Sequence, residues 1–133
     1  MAGVFLLFLG RIAAQAPVDR AWTILQAGAT NRSSEQRIAT MRVLQRIPGD
    51  AKAASLSESG LEDEDSGVRG AAALSLGGMK SRSLIPKLAA ALKQEKDGNV
   101  VMAIAKSLIQ LGDARGTRST MRSLRANASL AQA

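Results

Sequence analysis

The sequence predicts an all-α fold of the α-α superhelix class, a short solenoid of about three antiparallel helix pairs followed by a terminal helix. Two observations carry that expectation. Three segments superpose without gaps at steps of 32 residues, and internal periods of roughly twenty to fifty residues mark stacked repeats. Aromatic residues make up only 2% of the chain, so Ala, Leu, Ile and Val must build the core. Small aliphatic side chains suit close helix-on-helix contact better than strands, which favour bulky and β-branched residues.

Taken in order, residues 1–16 stand apart from the repeats. Val4 to Leu9 is an apolar run, followed by Gly10, Arg11 and Ala13 to Ala16. Ala14-Gln15-Ala16 has the small-x-small form of a signal-peptidase site, so 1–16 reads as a bacterial signal peptide cleaved near Ala16, with export to the periplasm or beyond. The run is too short to span a bilayer. Against export, Met1-Ala2-Gly3 carries no basic residue and Pro17 follows the cut. The alternative is a cytoplasmic protein in which this segment is a helix covering the open end of the stack with Phe5 and Leu9.

The repeat domain is placed at 17–126, with repeats at about 18–48, 50–80 and 81–112, a partial copy at 113–126 and a polar tail at 127–133. Val18 to Ala27, with Trp22, Ile24 and Leu25, supplies a first helix, and Ser33-Ser34-Glu35-Gln36 reads as the capping start of the next. The superposed segments are Gln36–Ile47, Val68–Met79 and Val100–Leu111. Leu44, Leu76 and Leu108 coincide, as do Ile47, Met79 and Leu111. Ala39, Ala71 and Ala103 also coincide, a small residue where helices are expected to approach closely. Breaks follow at Pro48-Gly49-Asp50, Lys80-Ser81 and Gly112-Asp113, where Gly or Pro ends a helix and Asp or Ser caps another.

Between these segments partner helices are expected at about Asp50–Glu62, Ser81–Gln94 and Arg115–Ala126. Leu84, Ile85, Leu88, Ala89 and Leu92 form one apolar stripe in the second, with Pro86 in its first turn. The first is expected to be weakest, because Ser55, Ser57, Ser59 and Gly60 lower helix propensity and buried area.

Val68-Arg69, the alanine-rich run to Leu76-Gly77 and the Leu108 to Asp113 segment, with acidic residues before Val68, resemble the HEAT-like repeats grouped with phycobilin lyase subunits. The resemblance covers about residues 18–126 and is best in the middle copies; Gln36-Arg37 and Val100-Val101 replace Val-Arg in the others. It implies an armadillo-type α-solenoid whose surface binds other proteins, and in some members nucleic acid or a chromophore. It also implies that Arg69 and Arg37 are structural, pairing with Asp63 or Asp65 of the acidic turn.

Function is bounded mainly by what is missing. The chain has no Cys and no His, which excludes disulfides, thiol chemistry, Cys/His zinc sites and His-based triads. No catalytic constellation, cofactor site or metal site is assigned, and the absence of Cys fits an exported location. Glu62 to Asp65 lacks EF-hand spacing and reads as helix-dipole stabilisation. The net charge of +7 favours anionic partners. Arg115, Arg118, Arg122 and Arg125 recur at steps of three, four and three on one helix face and form the candidate anion- or partner-binding stripe. The expected function is a non-catalytic scaffold for a protein partner, standing alone or within a longer array. The alternatives are nucleic-acid or polyanion binding through the arginine stripe and lyase-like chromophore handling.

Overall fold

The computed structural model describes residues 2–130, with side-chain surroundings for 16–123, 125 and 126. Seven α-helices and no strand occur among them: α1 (Ala2–Ala29), α2 (Ser34–Leu44), α3 (Ala51–Gly60), α4 (Ser66–Gly78), α5 (Ile85–Gln94), α6 (Gly98–Gln110) and α7 (Ala114–Leu130). The architecture is an all-α solenoid. Helices α2, α4 and α6 pack side by side in one layer, and α1, α3 and α5 back them.

The repeat leucines form the spine of the core. Leu44, Leu76 and Leu108 are fully buried, with Val68, Val100, Ile104 and Leu88 beside them. Each stands where a 3.6-residue period returns it to the inward face. Aspartates fix the N-termini. Asp50 accepts from the Lys52 and Ala53 N–H groups, Asp65 from Val68 and Asp97 from Asn99 and Val100. Asp65 and Asp97 are one repeat step apart, but Ser33 makes no side-chain cap, so the expected capping box at Ser33 does not form. Its N–H donates instead to Asn31 Oδ1 at 2.9 Å.

Three expectations need correction. The first helix does not begin at Val18 but runs from Ala2 through Pro17; Ala13, Ala14 and Ala16 before the proline and Ala21 after it are strong helix formers that tolerate the missing donor. The predicted covering of the stack by Phe5 and Leu9 concerns side chains outside the described residues. Secondly, α3 forms where expected, at Ala51–Gly60, but its serines do not all lower the buried area. Ser57 is fully buried and its Oγ lies 2.8 Å from Ser75 Oγ, while buried Gly60 lets Ala72 and Met41 close in. Packing overrides propensity there. Thirdly, Ala39 is exposed, whereas Ala71 is buried and Ala103 half-buried. Close approach falls instead at Gly60, Gly77 and Gly116; a methyl at Gly77 would meet Ser107 Oγ at 2.6 Å.

Helix α7 lies along α6, with Gly116 set against the Ala105 carbonyl and Ile109. It leaves Arg115, Arg118, Arg122 and Arg125 exposed. At the other end Trp22, Leu25 and Ala29 pack α1 on the core, and Lys52 Nζ sits 5.6 Å from the Trp22 ring centroid.

The turns after α2, α4 and α6 each contain a left-handed residue: Gly49 at φ 78°, Lys80 at φ 56° and Gly112 at φ 77°. Lys80 bears the Cβ that this conformation disfavours. Lys80→Gly is therefore expected to stabilise the fold by about 0.5–1 kcal/mol after the added unfolded-state entropy. A urea midpoint that fails to rise would contradict this.

Candidate functional site

The loops entering α2, α4 and α6 form one edge of the stack, and two arginines lock it. Arg37 sends Nε and Nη2 to the Asp63 carboxylate, both at 2.8 Å, and Nη1 to the carbonyls of Asn31 and Arg32 at 2.8 and 3.1 Å. Arg69 repeats this on Glu95, at 2.8 and 3.2 Å, and on the carbonyls of Asp63 and Glu64 at 2.9 and 3.0 Å. Each guanidinium thus grips the loop before its own helix and the carboxylate of the next repeat. Asn31, Asp63 and Glu95 are themselves 32 residues apart. Val101 takes the arginine position in the third copy and cannot continue the ladder.

The expected pairing of the acidic turn with Arg37 and Arg69 holds for Asp63 with Arg37. Asp65 serves as a cap, and Glu95, absent from the sequence expectation, is the partner of Arg69. Applying the repeat step to Asp63 would have found it. Among the described residues no group of three or more acidic side chains is arranged to hold a metal ion.

The hydrogen bond from Arg69 is the main reason that the Glu95 carboxyl falls from 4.5 to about 2, with help from the Asp97 and Lys96 N–H groups. Burial pushes Asp63 upward, but Arg37 and the Asp65 N–H outweigh it and hold the carboxyl below its ordinary value. A carboxylate depressed on folding adds stability above its unfolded pKa, which is lost as pH falls through the folded one. Melting temperature is therefore expected to fall between pH about 4.5 and about 2. Glu95→Gln should flatten that limb; an unchanged limb in circular dichroism melts would contradict the assignment.

The opposite face of the α2–α4–α6 layer holds a groove of about 600 Å³. Its floor is α4, with Gly67, Gly70, Ala71 and Leu74; Ile38, Arg42 and Arg46 line the α2 side, and Asp97, Asn99, Val100 and Ala103 the α6 side. Gly70 leaves real space, since a Cβ there would find only Ala103 Cβ at 4.0 Å. Arg42 and Arg46 are exposed, and neither forms an ion pair among the described residues. Sequence reading passed over this groove because its signal is a contrast between repeats, small side chains between large ones. A second cavity of about 690 Å³ is lined by Arg69, Glu95, Lys87, Glu62 and Lys96; four of these charges are paired as Arg69–Glu95 and Lys87–Glu62.

The predicted arginine stripe lies on α7, apart from both cavities. Arg115, Arg118, Arg122 and Arg125 are all exposed. Arg115 is tied to Asp113 at 2.8 Å, which with the Arg115 N–H brings the Asp113 carboxyl down to about 2. The repeat-defining residues Leu44, Leu76, Leu108, Val68 and Gly77 are buried; Gly112 turns the chain into α7.

The HEAT repeats family model matches residues 56–129, more than half of the chain. The chain belongs to the HEAT-repeat family. HEAT repeats generally mediate protein interactions. A comparison with curated proteins returns no match. Among the described residues no helix of this HEAT-repeat chain is long and apolar enough to cross a membrane.

Proposed function

We propose that this HEAT-repeat chain is a non-catalytic interaction module that seats a protein partner in the groove over α4. The observation that carries this is the groove itself: a floor of small and apolar side chains on α4 between α2 and α6, with Arg42 and Arg46 on its α2 side forming no ion pair among the described residues. Concave, largely apolar sites with a few polar groups are where partners bind.

The test is recovery from the source organism with full-length chain and with Gly70→Leu, washed at low and high salt. Leucine fills the groove and improves helix propensity, so the variant should fold. A defined protein held by the wild type and lost by Gly70→Leu supports the reading. Proteins recovered equally by both contradict it.

A second reading rests on Arg118, Arg122 and Arg125, which are exposed and form no ion pair among the described residues. Polyanion binding there would weaken steeply with salt, and recovery of nucleic acid alone would favour it. Export remains part of the proposal. Residues 16–21 are exposed and the described core contacts of α1 lie at Trp22, Leu25 and Ala29, so cleavage near Ala16 leaves those contacts intact. N-terminal sequencing of the protein from cells tests this; an N-terminus upstream of Ala16 would contradict export.

A further inference from the structure

The groove's occupant can be specified by charge, and this step rests on the groove reading above. The charges of the stack are segregated by edge. On the edge where α2, α4 and α6 begin, the acids are engaged: Asp63 with Arg37, Glu95 with Arg69, and Asp65 and Asp97 as helix caps. Towards the C-terminal end of α2, Arg42 and Arg46 stand exposed on the groove's wall, without ion-pair partners among the described residues. Beside them lie Leu74 and Ala71, half-buried and buried. The floor from Gly67 to Leu74 is about 10 Å long at a rise of about 1.5 Å per residue, the length of about two helical turns.

We propose that the groove accepts a short amphipathic helix of a partner protein, with small or aliphatic residues at i, i+3, i+4 and i+7 against α4 and carboxylates on the flank that faces α2, to meet Arg42 and Arg46. The small floor lets the backbones approach, as helix-in-groove recognition requires. Arg42 and Arg46 on the α2 wall select an acidic flank there and reject a basic one, which would place like charges together. A bare polyanion would satisfy that wall, leave the apolar floor uncovered and meet Asp97 on the other side.

The test is a display library of randomised fourteen-residue helical peptides (about four turns), panned on the full chain, on Gly70→Leu and on Arg42→Glu/Arg46→Glu. Melting curves establish that each variant is folded. The expected result is at least tenfold enrichment of peptides combining the apolar stripe with flanking Asp or Glu, abolished by Gly70→Leu and reversed towards Lys- or Arg-flanked peptides by the double charge change. Enriched peptides without acidic flanks that are still lost on Gly70→Leu would overturn the acidic-helix assignment while leaving the groove reading standing. Enrichment indifferent to Gly70→Leu, or none, would overturn both. A single-stranded oligonucleotide that binds the wild type as tightly as the best peptide, and fails on the charge variant, would also overturn the assignment.

Discussion

Arg69→Ala is expected to destabilise the fold by about 3 kcal/mol, lowering the melting temperature by roughly 10 °C. The side chain is four-fifths buried and its Glu95 partner nine-tenths. Truncation therefore leaves a carboxylate with little water access and strips two loop carbonyls of their donor. The cost of breaking such a pair exceeds what the pair contributes when whole, because the surviving charge remains partly desolvated. Arg69→Ala/Glu95→Ala should accordingly recover part of the loss, a coupling that a double-mutant cycle reads directly. Arg69→Lys keeps the charge but cannot fork to the carboxylate and also reach the Asp63 and Glu64 carbonyls, so it should recover less than half. If Arg69→Ala melts with the wild type, the ladder contributes nothing.

Leu76→Ala is expected to cost about 3–4 kcal/mol. Leu76 is wholly buried and sits in the middle helix of the inner layer, between the helices carrying Leu44 and Leu108. Its surroundings are rich in alanine, with Ala71, Ala72 and Ala73 on the same helix, so few large side chains can swing in to fill the cavity. Ile24→Ala provides the contrast. Ile24 is 65% exposed, and its loss should change stability by less than about 0.5 kcal/mol. Equal effects from the two substitutions would mean that the repeat register misplaces the core.

The parts of the fold legible in the sequence were those that repeat. Leucines at a fixed step, Gly or Pro in the turns and Asp at the caps identified the helices, because each answers to a local rule. The boundaries of α1 and the strength of α3 were not legible in that way. Ser57 and Gly60 look like helix weakeners until Ser75, Ala72 and Met41 are brought against them from other segments. The arginine ladder was half visible: Arg37, Arg69 and the acidic turn could be seen, but Glu95 stands within Glu-Lys-Asp and looks like loop polarity until the repeat step is applied to it. The groove was hidden for a different reason. Its existence depends on which side of α4 turns away from the core, and small residues on an outward face resemble any alanine- and glycine-rich helix. The α7 arginines were easy to see because charge periodicity needs no tertiary information, and for that reason they say less about a partner.

The most direct test of the groove as the partner-binding surface is photocrosslinking in cells, with a benzophenone amino acid placed at Leu74 on the groove floor and, separately, at Arg118 on α7. The account predicts a discrete crosslinked protein from position 74, lost when Gly70→Leu is added, and none from position 118. Crosslinks from position 118 alone, or to nucleic acid alone, would contradict it.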